Sequence, residues 1–394
     1  MAYARTSSST VFRIALQGLI ALAVAMGIGR FAFTPQLPLM QADLGLSLTA
    51  GGWLAGANYL GYLAGAVLAG RRGACAAGLM RGGLWAVVAS TAAMGVTDSL
   101  FLWLAMRFIA GVASAWVLVG TATVVLARLG QLGGQRFDGL VFSGVGAGIA
   151  LAGLICWGGM LLGAGAVALW LALAGFALAG TVFALAGERA SIRPNANADV
   201  AAKAVHSKAA SAGTLVLCYG LFGFGYILPA TYLPAQARLL FETPALFGWV
   251  WPLFGLAAAL STLAVAWLAR WPRRHVWAGA QVLMALGIAL PIAVPGLAGL
   301  AVAALCVGGT FMLITLLGLQ EARAQAGANV RQRLAAMTTA FAIGQLAGPM
   351  AANALLASGL TLDVALWLGI AALLASSVLL VFTSFANTSI KEKP

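Results

Sequence analysis

The chain reads as long apolar runs broken by short polar stretches. Twelve runs come near the roughly 20 residues that a membrane-spanning helix needs: 14–40, 48–70, 75–97, 100–127, 137–163, 166–187, 212–237, 245–269, 276–293, 297–320, 333–357 and 363–385. Runs of this length predict helices rather than the short alternating strands of a barrel. The longest polar stretch, Gly187 to Ser211, is rich in Ala, Ser and Asn and carries charge. It reads as a cytoplasmic linker (188–211) between two six-helix units, 1–187 and 212–394.

The two units repeat. A shift of 196 residues lays Gly27 on Gly223, Gly29 on Gly225, Leu37 on Leu233 and Pro38 on Pro234. It also lays Gly52–Trp53 on Gly248–Trp249 without a gap. Thus "GIGRFAFTPQLP" in the first run answers "GFGYILPATYLP" in the seventh. Parallel six-plus-six repeats are an architecture of secondary transporters.

Composition sharpens the class. Hydrophobic residues make up 62% of the chain and charged ones 8%, against about 25% charged in soluble domains. Fifty glycines suit membrane helices that pack backbone to backbone. Cys75, Cys156, Cys218 and Cys306 are dispersed in apolar segments, as buried thiols are, not as a disulfide or metal framework. The apolar run after Arg5 and Arg13 is too long for a signal-peptide core and lacks a cleavage site at its end, so it is expected to be retained.

The net charge of +13 is a topology signal. With the N-terminus inside, every Lys and Arg except Arg30, Arg107 and Arg238 falls in a cytoplasmic loop or terminus. That bias predicts both termini inside and an even number of spans in a bacterial inner membrane. The cations then face anionic lipid, and no nucleic-acid partner is expected.

Three motifs carry a family resemblance. "RFIAGVASA" (Arg107 to Ala115) is similar to the R-x-x-x-G-containing fourth-helix motif of the major facilitator superfamily. "GQLAGP" (Gly344 to Pro349) is similar to a G-x-x-x-G-P motif best known from the fifth helix of its antiporters. "AGRRGACAAGLMRGG" keeps the basic residues of the superfamily's loop signature, Arg71, Arg72 and Arg81, but lacks its aspartate. The chain resembles that superfamily over essentially its whole length. "GIGRFAFTPQLPLMQ" and "YGLFGFGYILPATYLP" look like its YbfB/YjiJ group. The resemblance implies an all-α membrane fold of twelve helices in two pseudo-symmetric bundles, with helices 1, 4, 7 and 10 lining a central cavity.

Arg30 then stands out. It is about ten residues from the outer end of its helix, on the order of 15 Å, too deep to reach the interface. A cation there costs roughly 2.5–3.5 kcal/mol on insertion scales. All nine acids fall in loops or at helix ends, so a cavity that receives an anion would supply the counter-charge. Arg107, on a helix running the other way, is expected at a similar depth. Two cations without an acid favour an anionic substrate.

Thr34 shares a helix face with Arg30, along with Gly27, Phe33 and Leu37. The repeat partner of Arg30 is Tyr226, with Tyr219 on its face. One arginine among aromatic rings suits a carboxylate on an apolar body better than a phosphate. Asn58, Tyr62, Thr310 and Gln345 complete the candidate substrate contacts, although helix-to-helix bonding explains such residues equally well. Gly27, Gly29, Pro35, Pro38, Gly223, Gly225, Pro229 and Pro234 are candidate hinges, with Arg71 and Arg72 as gating residues.

The expected function is alternating-access transport of a small organic anion, by a monomer, without cofactor or metal. Efflux of hydrophobic compounds is the alternative, and a membrane enzyme a distant third, since no acid–base pair or metal-ligand cluster falls at membrane depth. Without a Walker motif ATP drive is not expected. His206 and His275 fall in loops, leaving Asp138 and Glu321 as fallback proton sites.

Overall fold

The computed structural model describes residues 8–71, 73–186, 209–240, 248–294 and 296–388. Among them are twelve principal helices: α1 (Ser8–Leu44), α2 (Leu48–Gly70), α3 (Ala76–Val96), α4 (Leu100–Gln131), α5 (Asp138–Leu161), α6 (Ala166–Leu185), α7 (Ala209–Leu240), α8 (Val250–Leu263), α9 (Arg273–Ala293), α10 (Leu297–Ala324), α11 (Val330–Ala357) and α12 (Leu362–Thr388). Nine of them, all but α2, α3 and α8, are long and apolar enough to cross a membrane by length and composition. The stretch 187–208 and Arg72 lie outside the described residues, as does the Pro234 side chain within α7.

Boundaries depart from the apolar runs in two ways. Helices α4 and α10 extend to Gln131 and Ala324, past the ends of their apolar runs. Hydropathy marks where lipid ends, and Arg, Gln and Glu continue a helix readily beyond it. The run expected over 245–269 instead gives the 14-residue α8 and a four-residue turn of helix, Val265–Leu268.

Local chemistry sets the ends. Gly45, at φ 64°, turns α1 off and sends its N–H to the Met40 carbonyl. Ser47 caps α2 by accepting from the Ala50 N–H at 3.1 Å. The Asp43 carboxylate accepts from the Ala166 N–H at 2.7 Å, tying α1 to the start of α6.

Alpha-helical hydrogen bonding fails in α1 over Ala23–Phe31, which is π-helical. The bend expected at Pro35 and Pro38 is thus preceded by a widened segment at Gly27 and Gly29. α7 has no π segment; it is α-helical throughout, across Gly223, Gly225 and Pro229.

Glycine governs the close approaches. A Cβ on Gly27 would collide with the backbone of Gly148 in α5, and one on Gly344 in α11 with the backbone of α7 at Gly220 and Phe224. Those two contacts are related by the 196-residue shift, so the repeat extends from sequence to packing. Between α5 and α8, Gly146 meets the Ala259 N–H while Gly255 meets that of Ala150. The apolar side chains left outside, among them Phe101, Trp267, Trp367 and Phe382, are the ones lipid would cover.

Gly27→Ala is expected to lower stability by roughly 1–3 kcal/mol through overpacking. Gly52→Ala, where a Cβ meets nothing within 4 Å, is expected to raise it by about 0.4–1 kcal/mol, since Ala favours a helix interior over Gly. Thermal melting of the purified protein in detergent separates the two.

Candidate functional site

The π segment delivers Arg30 to the interior, where it is 3% exposed. Its guanidinium lies over the Tyr62 ring of α2, 3.8 Å from the centroid. Tyr59 and Phe31 flank it at 5.7 and 5.5 Å. Nη2 donates to Oε1 of Gln345 on α11. Nε and Nη1, both buried, have no hydrogen-bond partner among the described residues. The described residues show no ion pair to Arg30, consistent with every acid falling in a loop or at a helix end.

Arg107 behaves differently. It donates from Nη1 to the Gly29 carbonyl and from Nη2 to the Arg30 carbonyl, each at 3.1 Å. These acceptors belong to the π segment, whose displaced ladder leaves carbonyls to be satisfied from outside. Its guanidinium also lies 4.7 Å from the Phe33 ring centroid. So the two arginines meet at one depth, as α1 and α4 run past each other, but Arg107 spends two nitrogens on backbone. Asn58 donates to the Arg107 carbonyl at 3.0 Å. Ser114, two turns further along α4, donates to the Ala25 carbonyl at 2.7 Å.

Across from Arg30 stands an aromatic cluster. Tyr226 of α7 stacks on Phe311 of α10 with centroids 4.1 Å apart and planes at 7°. Phe31 meets Phe311 edge-on at 5.8 Å and Trp251 of α8 at 6.4 Å. Phe341 of α11 closes the group, 6.1 Å from Tyr226. The Tyr226 hydroxyl is buried and has no hydrogen-bond partner among the described residues.

The candidate contacts therefore divide. Arg30 meets Tyr62 and Gln345 directly, and Tyr226 reaches this group through Phe311, which also meets Phe31. Tyr219 packs with Phe222, Trp277 and Phe341, and its hydroxyl pairs with Thr315. The Thr310 hydroxyl returns to the Cys306 carbonyl of its own helix at 2.6 Å, the usual fate of a threonine in an apolar helix. Thr34 is half-buried, and no hydrogen bond joins it to Arg30 among the described residues. Tyr59, Phe31, Phe311, Phe341 and Trp251 escaped the sequence reading. Adjacency to Arg30 and Asn58 could have found Phe31 and Tyr59, but nothing local marks Phe311 or Phe341.

The end where α2 meets α3 and α10 meets α11 carries the basic loops. There Arg331 of α11 donates to the Ala69 and Arg71 carbonyls, so Arg71 takes part through its backbone. Arg323 of α10 donates to the Ala122 carbonyl of α4 at 2.8 Å. The fallback proton sites lie at this end too. Asp138 accepts from Gln320 at 3.1 Å, and Glu321 accepts from Arg274 at 2.9 Å.

This arrangement of helices defines a class. The chain is similar to the crystal structure of the human organic anion transporter MFSD10 (TETRAN), with TM-score 0.63 and 18% identity over 96% of this chain and 97% of that one. The fold is that of the major facilitator superfamily, an all-helical multi-pass membrane architecture. Residues 22–381 match the family described as uncharacterised MFS-type transporter YbfB, and the chain belongs to it. No curated protein sequence matches the chain.

Arg107→Gln is expected to destabilise the protein by about 1–3 kcal/mol for each π-segment carbonyl left unpaired, and Arg107→Lys by less. Detergent melting curves check this; a glutamine variant that melts with the wild type would remove the positioning role from Arg107.

Proposed function

We propose that the protein is a secondary transporter that carries a small organic monoanion across the bacterial inner membrane by alternating access. The substrate class is a carboxylate on an apolar or aromatic body. The observation that carries this reading is Arg30, a buried cation with two unpaired nitrogens and no acid beside it among the described residues.

Magnitudes support a missing anion. Stacking on Tyr62 returns at most about 2 kcal/mol when desolvated. The bond to Gln345 meets one of the guanidinium's five donors. The remaining donors suit a carboxylate, which pairs with arginine in a bidentate geometry. The rings of Phe31, Tyr62, Tyr226 and Phe311 would cover the apolar body. Carbonyls hold two of Arg107's three nitrogens, leaving Nε unpaired among the described residues, whereas Arg30 has two unpaired; Arg30 is the freer cation, which favours one negative charge over the two of a phosphate ester.

In this reading residues 1–187 and 212–394 rock as two bundles around Arg30, joined by the cytoplasmic linker 188–211. The termini are cytoplasmic and the protein works as a monomer. Exchange of anions or drive by the membrane potential fits better than proton coupling through Asp138 or Glu321, which lie at the basic end. The solved relative is described as an organic anion transporter; at that identity the likeness carries the fold, and the anion reading rests on Arg30.

The test is a thermal-shift screen of purified protein against acetate, lactate, benzoate, phosphate, glucose and a cationic dye. Monocarboxylates should stabilise the wild type, by about 2.7 kcal/mol at a hundredfold excess over Kd, and Arg30→Gln should abolish the shift with folding retained. Stabilisation by the dye alone, or an Arg30→Gln variant that responds like the wild type, overturns the reading.

A further inference from the structure

We propose that Gln345 is an internal occupant of the anion site, its side-chain oxygen holding on Arg30 the place that one carboxylate oxygen takes when substrate binds. This rests on Arg30 being the anion anchor.

Three observations carry it. First, the Gln345 oxygen accepts from Arg30 Nη2, and Gln345 is fully buried. An amide oxygen has the acceptor geometry of a carboxylate oxygen without its charge. Second, the bond leaves polar groups unpaired on both sides: Nε and Nη1 of Arg30, Nε2 of Gln345 and the hydroxyl of Tyr226. Residues that served only to join two helices would be expected to satisfy each other, because each unpaired buried group costs about 1–3 kcal/mol. Third, the pair breaks the repeat. The 196-residue shift relates Arg30 to Tyr226 and Gln345 to Ile149, so no polar pair stands at the equivalent place in the other half. The neighbouring glycines Gly148 and Gly344 are kept and make equivalent close contacts. The frame is duplicated and the Arg30–Gln345 bond is not.

The exchange has a direction. A hydrogen bond from a cation to a carboxylate is roughly twice as strong as one to a neutral acceptor, so substrate outcompetes the amide. Neutral solutes do not. Gln345 lies on α11 and Arg30 on α1, so the bond spans the two six-helix sets. Displacing it exchanges a link between the sets for a contact with substrate. Until displaced, it lowers apparent affinity, because only the fraction of molecules with a free Arg30 binds.

Calorimetric titration of purified protein with acetate, lactate and benzoate tests this on wild type, Gln345→Ala, Gln345→Leu, Gln345→Glu and Arg30→Gln. Removing the amide should tighten carboxylate binding by roughly tenfold, the worth of a hydrogen bond to a charged group. Gln345→Leu keeps the volume, in case the alanine variant folds poorly. Gln345→Glu should abolish binding and raise the melting temperature of the free protein. If the wild type binds and Arg30→Gln does not, but Ala and Leu variants bind equally or more weakly, Gln345 is glue or a direct ligand. The occupant idea then falls and the anion site stands. If the wild type binds none of the three acids, both fall.

Discussion

A guanidinium in a membrane without a carboxylate nearby is the constraint on which this interior depends. The charge cannot be neutralised by losing a proton, since arginine holds its proton at any ordinary pH. It must be met by aromatic faces, carbonyls, amides or a ligand. The first three are visible. Arg30 is met by Tyr62 and Gln345, Arg107 by the carbonyls of Gly29 and Arg30. The second arrangement makes the first possible. Arg107 holds the π segment that carries Arg30, so one arginine builds the platform from which the other projects.

The internal repeat shows which features belong to the frame. Gly27 against α5 and Gly344 against α7 are equivalent contacts at the points where helices come closest. Removing side chains there lets dispersion and backbone contacts replace the hydrophobic effect that lipid cannot supply. The Arg30 and Gln345 positions do not obey the repeat. Arginine faces tyrosine at one position and glutamine faces isoleucine at another, and only the arginine-bearing helix is π-helical. A duplicated scaffold with unduplicated polar chemistry fits the single substrate site proposed between the two halves.

Much of this was legible in the chain. Apolar runs mark the helices because lipid admits few other structures, and Arg30 announced itself by standing alone in one. What stayed hidden depends on geometry that one-dimensional patterns do not hold. The break after α8 leaves no hydropathic trace, since Ala264 and Val265 are as apolar as their neighbours. The π segment could not be told from a proline bend. Asn58 and Thr310 looked like ligands, yet bond to backbone, because the acceptor a polar side chain finds is set by neighbours far away in sequence. Phe311 and Phe341 are single rings among small residues and become a wall beside Tyr226 only on folding.

The contacts that close the basic end differ in kind from those that zip α5 to α8. Along α5 and α8 glycines bring backbone against backbone, an interface with little room to slide and no bond to exchange. At the basic end Arg323 and Arg331 reach from the last six helices to carbonyls of α4 and α2. The Ala122 carbonyl lies within α4, but the Ala69 and Arg71 carbonyls, at the end of α2, are unmet by its ladder and carry its negative pole. They hold an arginine without needing the aspartate that the loop after α2 lacks. Such bonds contribute about 1 kcal/mol each and are readily replaced by water. If the bundles rock as proposed, a rigid seam on one side and replaceable bonds on the other would let them part at one end while remaining attached.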